Sequence, residues 1–297
     1  MAAPRRRLGA LRCHLAQPAA GAAAAPGEQP HRRQRTAGDD ATAGDTHTQG
    51  RSDLDADVPP TALELYQFDL NGYIIIKGAL SAAEVKRFND HLDALPRPKM
   101  GEWIGRAHVT ATGGSGFAHG CQIQQCYELG GPFEELVDHP SFFGKVRRFL
   151  GPEAGGKGDS GWDNHPHGLP TIDEAFVNFR SEGGAISMHG PQNSESAKAQ
   201  YRVGVDGTFF SGEINMALAL SPIGAGDGAT MVIPGGHKSN VDYRTVLDRP
   251  DGPGSMEGVL GAIELHLEPG DVLLFVDCLT VSIIRRVVAR PVAKCSS

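Results

Sequence analysis

Two histidines follow apolar runs in the second half of the sequence, where their ring nitrogens could take part in chemistry. His189 closes the run in "GAISMHGPQN", and His237 follows the run in "GATMVIPGGHKSN". Imidazole is a common metal ligand and acts as a general acid or base near neutral pH. A lone histidine is more often a satisfied core or surface residue, so the surrounding sequence has to decide between these interpretations.

A second histidine-bearing segment, "WDNHPHG", alternates Asp163, His165 and His167. In an extended backbone this spacing puts all three side chains on one side. The segment lies in the polar loop 152–169, and the sequence suggests neither a fourth ligand nor a supporting partner for it. We therefore expect solvated side chains there rather than a metal site.

The sequence lacks the common nucleotide-binding and nucleophile motifs. The stretch "GGSGFAHG" does not have the G-x-G-x-x-G spacing, and no G-x-S-x-G elbow occurs. The net charge of −7 provides no basic field for nucleic acid, and no apolar run approaches the ~18 residues of a membrane span. We expect a small-molecule substrate as the partner, and the sequence does not indicate the oligomeric state.

The elements that position these residues change in type along the chain. An Asn-Gly turn and the β-branched strand Tyr73–Ile76 precede a helix, which Ser81 and Glu84 open with a capping box and which stops before Pro96. From residue 170 onward, short strands alternate with Gly, Pro and Asp turns. This texture predicts a mainly β fold with preceding helices, an antiparallel barrel or jelly roll.

One strand of this β region carries the clearest alternation of apolar residues. Met216, Leu218 and Leu220 recur at every second position. Because successive side chains of a strand point to opposite faces, these three are expected to line the inner face of the sheet.

Residues 1–58 differ from the rest in composition. They contain no aromatic residue and are rich in Ala, Gly, Arg, Pro and Asp, so we expect a disordered extension. The acid-poor start with Arg5, Arg6 and Arg7 also fits an organelle transit peptide. Residues 59–297 would form one domain. The five scattered cysteines favour an intracellular protein with reduced thiols, cytoplasmic or organellar.

The order of several motifs resembles the phytanoyl-CoA dioxygenase family of iron- and 2-oxoglutarate-dependent oxygenases. "FDLNGYIIIKGALSAAEV" comes first, then a strand ending in histidine, then "GDGATMVIPGGHKSN", then "EPGDVLLF". The resemblance extends from about Phe68 to Phe275. It implies a double-stranded β-helix jelly roll and the cofactors Fe(II) and 2-oxoglutarate. The implied reaction is hydroxylation of a small or lipid-like substrate.

The resemblance also implies a ligand set of two histidines and one carboxylate. His189 matches the first ligand of the family's H-x-D motif, but Pro191 stands where the acid is expected. Acids that could replace it are Glu195, Asp206 and Asp277. The family places its other histidine after the "GDVLLF" strand, yet this chain has no histidine beyond His266.

The remaining candidates come from the same resemblance. The histidine of the P-G-G-H-K turn, His237, would hold the turn or touch substrate, with replacement of an iron ligand as the alternative. Arg285 and Arg286, with Arg290 behind them, are candidates for binding the distal carboxylate of 2-oxoglutarate, since a guanidinium suits it. Arg180 would lie beside the site.

Three functional interpretations remain open at this point. The chain is an active oxygenase with replaced ligands, a non-catalytic binding member of the same fold, or a truncated or alternatively spliced product. The last follows from the family pattern, which ends abruptly near Leu279 and leaves the domain apparently incomplete at its C-terminus.

Overall fold

The computed structural model describes residues 58–111, 120–151, 171–180, 185–190, 201–203, 209–239, 241, 256 and 258–283, and the backbone of residues 9–16. Three α-helices lie in these ranges: α1 (Ala62–Asn71), α2 (Ala82–Ala94) and α3 (Phe143–Leu150). Single 3₁₀ segments cover Cys126–Leu129, Gly131–Leu136 and Gly236–Lys238. None of the helices in these ranges is long and apolar enough to cross a bilayer.

The strands follow one another along the chain in short segments. They are β1 (Gly9–Ala16), β2 (Tyr73–Ile76), β3 (Trp103–Ile104), β4 (Ala107–Ala111), β5 (Gly120–Gln124), β6 (Thr171–Arg180), β7 (Ile186–His189), β8 (Tyr201–Val203), β9 (Phe209–Ser211), β10 (Glu213–Ala219), β11 (Thr230–Val232), β12 (Ile263–Leu265), β13 (Val272–Val276) and β14 (Val281–Ile283).

The strands form two larger sheets and one two-stranded ribbon, and every pairing among the described strands is antiparallel. The larger sheet has the order β2-β13-β10-β1-β6-β5-β4-β3, the smaller sheet β12-β11-β14-β7, and the ribbon β8-β9. The predicted mainly β, jelly-roll fold with helices ahead of it is confirmed. Antiparallel pairs of this kind do not need the crossover helices that parallel strands require.

The helix predicted from its capping box is present. The Ser81 hydroxyl accepts from the Glu84 backbone N–H, and the Glu84 carboxylate accepts from the Ser81 backbone N–H. A second capping box, formed by Thr61 and Glu64, opens α1 in the same way. Such a cap satisfies backbone donors that the first helical turn leaves unpaired, which fixes where each helix begins.

The largest core cluster lies between the helices and the sheets. Phe68 of α1 stacks on Phe149 of α3 with ring centroids 3.9 Å apart. Met216, Leu218 and Leu220 are buried as predicted. All seven residues of β10 are buried, however, so this strand is covered on both faces. The alternating residues Met216 and Leu218 identify only one of its two buried faces.

The N-terminal strand departs from the expectation of disorder over residues 1–58. Gly9–Ala16 form β1, which pairs with β10 on one side and β6 on the other. The expectation averaged composition over the whole segment, whereas backbone pairing on two sides can order eight residues within it. Residues 1–8 and 17–57 lie outside the described residues, and so does the "WDNHPHG" loop.

Candidate functional site

His189 is the last residue of β7 and its side chain is exposed. Its Nδ1 lies 2.8 Å from the Ser187 carbonyl oxygen, which can only accept, so Nδ1 carries the proton in this bond. The lone pair of the neutral ring is then on Nε2. This tautomer is the one that a metal-ligating histidine adopts when a backbone carbonyl orients it.

The residue opposite His189 on the adjacent strand has an apolar side chain. β7 pairs with β14 so that His189 lies opposite Val281, which is 3% exposed. Directly paired residues of antiparallel strands have Cβ atoms ~4.5–5.5 Å apart on the same sheet face. The place from which β14 could offer a second ligand beside His189 is therefore taken by a side chain without donor atoms.

Thr280 joins the two histidine-bearing segments. A Cβ atom on Gly190, the residue after His189, would lie 2.8 Å from the Thr280 Cα. A Cβ atom on Gly236, the residue before His237, would lie 3.0 Å from the Thr280 Oγ1. The contact at Gly190 is with the Thr280 backbone and leaves no room for a side chain, so packing requires this glycine. The contact at Gly236 is with the Thr280 side chain, which would have to shift by a few tenths of an ångström.

His237 is buried, and both of its ring nitrogens face protein atoms. Its Nε2 donates to the Asp69 carbonyl oxygen at 3.1 Å, which leaves Nδ1 as the unprotonated nitrogen. Nδ1 has no hydrogen-bond partner among the described residues and lies against Gly72, where an added Cβ would be 2.4 Å away. The His237 ring therefore connects the P-G-G-H-K turn to the end of α1.

The contacts around His237 form what we call the Asp69 cluster: Asp69, Tyr201, His237 and Lys238. The Tyr201 hydroxyl donates to Asp69 Oδ1 at 2.5 Å, and Lys238 Nζ lies 2.9 Å from the same oxygen. The Tyr201 ring meets the His237 ring edge to face, with centroids 4.5 Å apart. These contacts join α1, β8 and the turn after β11.

Burial controls the protonation of this cluster. It lowers the pKa of His237 to about 4, so the ring is neutral at physiological pH. Burial also raises the pKa of Tyr201, and the bond to the Asp69 carboxylate raises it further. For Asp69, burial opposes ionisation, but the bonds from Tyr201 and Lys238 together prevail and lower its pKa.

The structure places two more of the candidate residues. Asp277 lies in the turn between β13 and β14, where its Oδ1 accepts from Asn215 Nδ2 at 3.0 Å. Arg180 ends β6 and donates from Nη1 to the Gly228 carbonyl oxygen at 2.6 Å. Glu195, Asp206, Arg285, Arg286 and Arg290 lie outside the described residues.

The described residues do not fit an iron ion held by two histidines and an acid. Nowhere in the described ranges do three His, Cys, Asp or Glu side chains come together closely enough to share an ion. His189 supplies a suitable nitrogen, but its strand partner Val281 and the Pro191 two positions on supply none. Within the part of the chain that the structure describes, the donor set around His189 is thus short of ligands.

Comparison with known proteins assigns the family. The phytanoyl-CoA dioxygenase (PhyH) model matches residues 68–280, most of the chain. The chain belongs to this family. In this phytanoyl-CoA dioxygenase homologue the strand that follows "EPGD", β13, is buried along its whole length. A comparison with curated proteins finds no match.

Several solved structures share this fold. HygX from Streptomyces hygroscopicus with nickel and 2-oxoglutarate is 18% identical, with a TM-score of 0.59 over 77% of this chain and 82% of HygX. HygX with nickel, 2-oxoglutarate and hygromycin B gives 19% and 0.59 over 78% and 84%. The iron-bound form gives 18% and 0.57 over 78% and 82%. At these identities the likeness shows the fold alone.

Sequence reasoning missed Asp69, Tyr201 and Thr280. In the sequence, Asp69 stands out only as part of the "FDLNGY" motif. Gly72 of this motif ends α1 with a φ of +80°. The motif's spacing hints that a polar residue sits beside a tight helix end. No sequence signal links that helix end to Tyr201, which lies 132 residues away.

Proposed function

We propose that this protein is an iron- and 2-oxoglutarate-dependent oxygenase homologue that, with its present side chains, binds Fe(II) weakly and turns over 2-oxoglutarate poorly. The observation that supports this most is the pairing of His189 with Val281. The family reaction, hydroxylation of a small or lipid-like substrate, is the activity proposed for a chain with a complete ligand set. The hygromycin B complex of HygX supports a small-molecule substrate.

The expected loss follows from the number of ligands. Removing a single partner that only orients a ligand costs ~10–100-fold in metal affinity. Here two positions that would donate directly, 191 and 281, carry Pro and Val. A nitrogen on His189 and water alone would hold Fe(II) less tightly still.

The two candidate replacement ligands, His237 and Asp277, differ in how free their donor atoms are to bind iron. We propose that His237 holds the turn rather than a metal, because Nε2 is engaged with Asp69 and Nδ1 faces Gly72. Asp277 is the better replacement candidate, since its second carboxylate oxygen is not held by the bond to Asn215. Arg285 and Arg286 remain the proposed partners of the distal carboxylate of 2-oxoglutarate.

The test is an anaerobic Fe(II) titration, with and without 2-oxoglutarate, of the unmodified protein and of a Pro191→Asp, Val281→His double variant. We expect the double variant to bind Fe(II) at least ~100-fold more tightly, since it restores two direct ligands. A Pro191→Asn, Val281→Phe variant is the matched control, because it changes the same positions without adding strong iron ligands. Parallel assays of 2-oxoglutarate decarboxylation report turnover.

Each outcome decides between the functional interpretations. Tight iron binding and robust turnover by the unmodified chain would refute the proposal and direct mutagenesis to Asp277. Iron-independent binding of 2-oxoglutarate, measured by calorimetry, would favour the non-catalytic binding member, which the short donor set around His189 also supports. Equal affinities of the double variant and its control would show that missing ligands are not the cause.

A further inference from the structure

The strand β1 precedes every other described element in the chain, yet it lies in the middle of the larger sheet. Its residues Ala10–Ala16 pair with β10, from Ala10 opposite Ala219 to Ala16 opposite Glu213. On its other edge Gly9–Ala16 pair with β6, with one irregularity between His14 and Leu15. Both neighbours are more than 150 residues away in the sequence.

Among the described strands, β1 alone joins the two halves of the larger sheet. Without it, β2-β13-β10 and β6-β5-β4-β3 would be separate, and β10 and β6 would each present an unpaired edge toward the other. Adjacent strands lie ~4.8 Å apart, so the gap would be ~9.6 Å wide and would admit one extended backbone. Unpaired backbone groups along an edge are a template for pairing with another strand.

The connection between β1 and the rest of the domain is long. About 45 residues separate Ala16 from the start of α1 at Ala62. The pairing with β10 and β6, rather than a tight turn, holds the strand in the sheet.

We propose that the space between β10 and β6 is a strand-binding site for an extended peptide, filled by the protein's own residues 9–16. Binding is by backbone hydrogen bonds on both edges, the mode of strand addition to a sheet. Because the site recognises an extended backbone in one register, it accepts the same segment supplied as a separate peptide once the tethered strand is disabled. This proposal does not depend on iron or on catalysis.

The first experiment tests occupancy of the site in the full chain. The register puts Cys13 opposite Ala175, so an Ala175→Cys variant is treated with oxidised glutathione and digested for mass spectrometry. We expect a disulfide between Cys13 and the thiol introduced at position 175. The matched control Val177→Cys, whose partner is Leu11, should give at least ~10-fold less, and a Cys13→Ser, Ala175→Cys variant should give none. Equal yields from the two positions would overturn the proposed register.

The second experiment tests binding of a separate strand. In a full-length Leu11→Pro variant the tethered strand loses a backbone donor and its extended pairing. A fluorescent peptide of residues 8–17 should bind this variant at least ~10-fold more tightly than it binds the unmodified protein, by fluorescence anisotropy. The same peptide carrying Leu11→Pro is the control and should not bind. Failure of the unmodified peptide to bind a Leu11→Pro variant that has kept its fold would overturn the proposal.

If the Leu11→Pro variant does not fold, a refolding experiment replaces the binding measurement. Refolding of this variant in the presence of the unmodified peptide should then restore a cooperative thermal transition. The proline peptide should not restore it. If the variant is unfolded and the unmodified peptide does not restore the transition, the proposal is refuted.

Discussion

His189 is the last residue of one strand and His237 lies in the turn after another, and the two differ in burial and in contacts. His237 is 6% exposed and connects three elements through Asp69, Tyr201 and Gly72. His189 is exposed at a strand end and bonds to a backbone oxygen two residues away. The more recognisable motif therefore carries a buried histidine, while the histidine that matches a metal ligand has an exposed side chain.

This contrast predicts a large difference between two alanine substitutions. His237→Ala removes a buried ring and leaves the Asp69 carbonyl without its donor, so we expect a loss of ~2–4 kcal/mol in the free energy of unfolding. His189→Ala should change it by no more than ~0.5 kcal/mol, as is usual at the surface. Urea denaturation measures both. Similar losses at the two positions would contradict the comparison.

The same burial predicts that His237 contributes to the pH dependence of stability. The unfolded ring binds a proton near pH 6.5, while the folded ring does so only near its pKa of about 4. The unfolded state therefore binds more protons between these values, and stability falls, by roughly 2–3 kcal/mol, as the pH drops from 6.5 to 4. Denaturation across this range should show a flatter profile for His237→Asn. An unchanged profile would contradict the assignment.

A smaller effect separates the contact with His237 from backbone strain. Gly72 and Gly78 both have positive φ, +80° and +58°, but only at Gly72 would a Cβ meet His237 Nδ1. Gly78→Ala should cost the strain alone, about 1 kcal/mol, and Gly72→Ala about 1–3 kcal/mol more because the buried ring must move. Thermal denaturation of the pair gives the difference. Equal losses of stability in the two variants would show that the His237 ring can move aside without a measurable cost.

The smallest expected effect concerns the hydroxyl of Tyr201. Tyr201→Phe removes the bond to Asp69, whose carboxylate keeps Lys238, so we expect a loss of about 1 kcal/mol. Tyr66 is 62% exposed, and Tyr66→Phe is the matched control with no expected effect. A loss at Tyr201 no larger than at Tyr66 would mean that the Asp69 cluster does not stabilise the turn.

The sequence predicted those features that depend on local chemistry. The Ser81 capping box, the strand Tyr73–Ile76 and the antiparallel strands after residue 170 are all set by neighbours within a few residues. Contacts between distant segments could not be predicted from the sequence. The bond between Tyr201 and Asp69 and the pairing of His189 with Val281 depend on register and packing of the whole domain, which no local pattern encodes.

The β1 segment shows the limit of composition as a guide. Residues 1–58 average out as a chain that cannot build a core, and that average concealed eight residues with a place in the sheet. A strand that is paired on both edges takes its hydrogen bonds from distant partner strands. Its own sequence therefore does not have to carry a recognisable strand pattern.

The position of β1 has a consequence for the timing of synthesis. The strand leaves the ribosome well before its partners, because its partner positions in β10 extend to Ala219, opposite Ala10. At ~5–20 residues per second, the roughly 200 intervening residues take about 10–40 s to appear. The other partner, β6, begins at Thr171 and is made before β10, so until β6 emerges the segment has no edge of its own sheet to pair with.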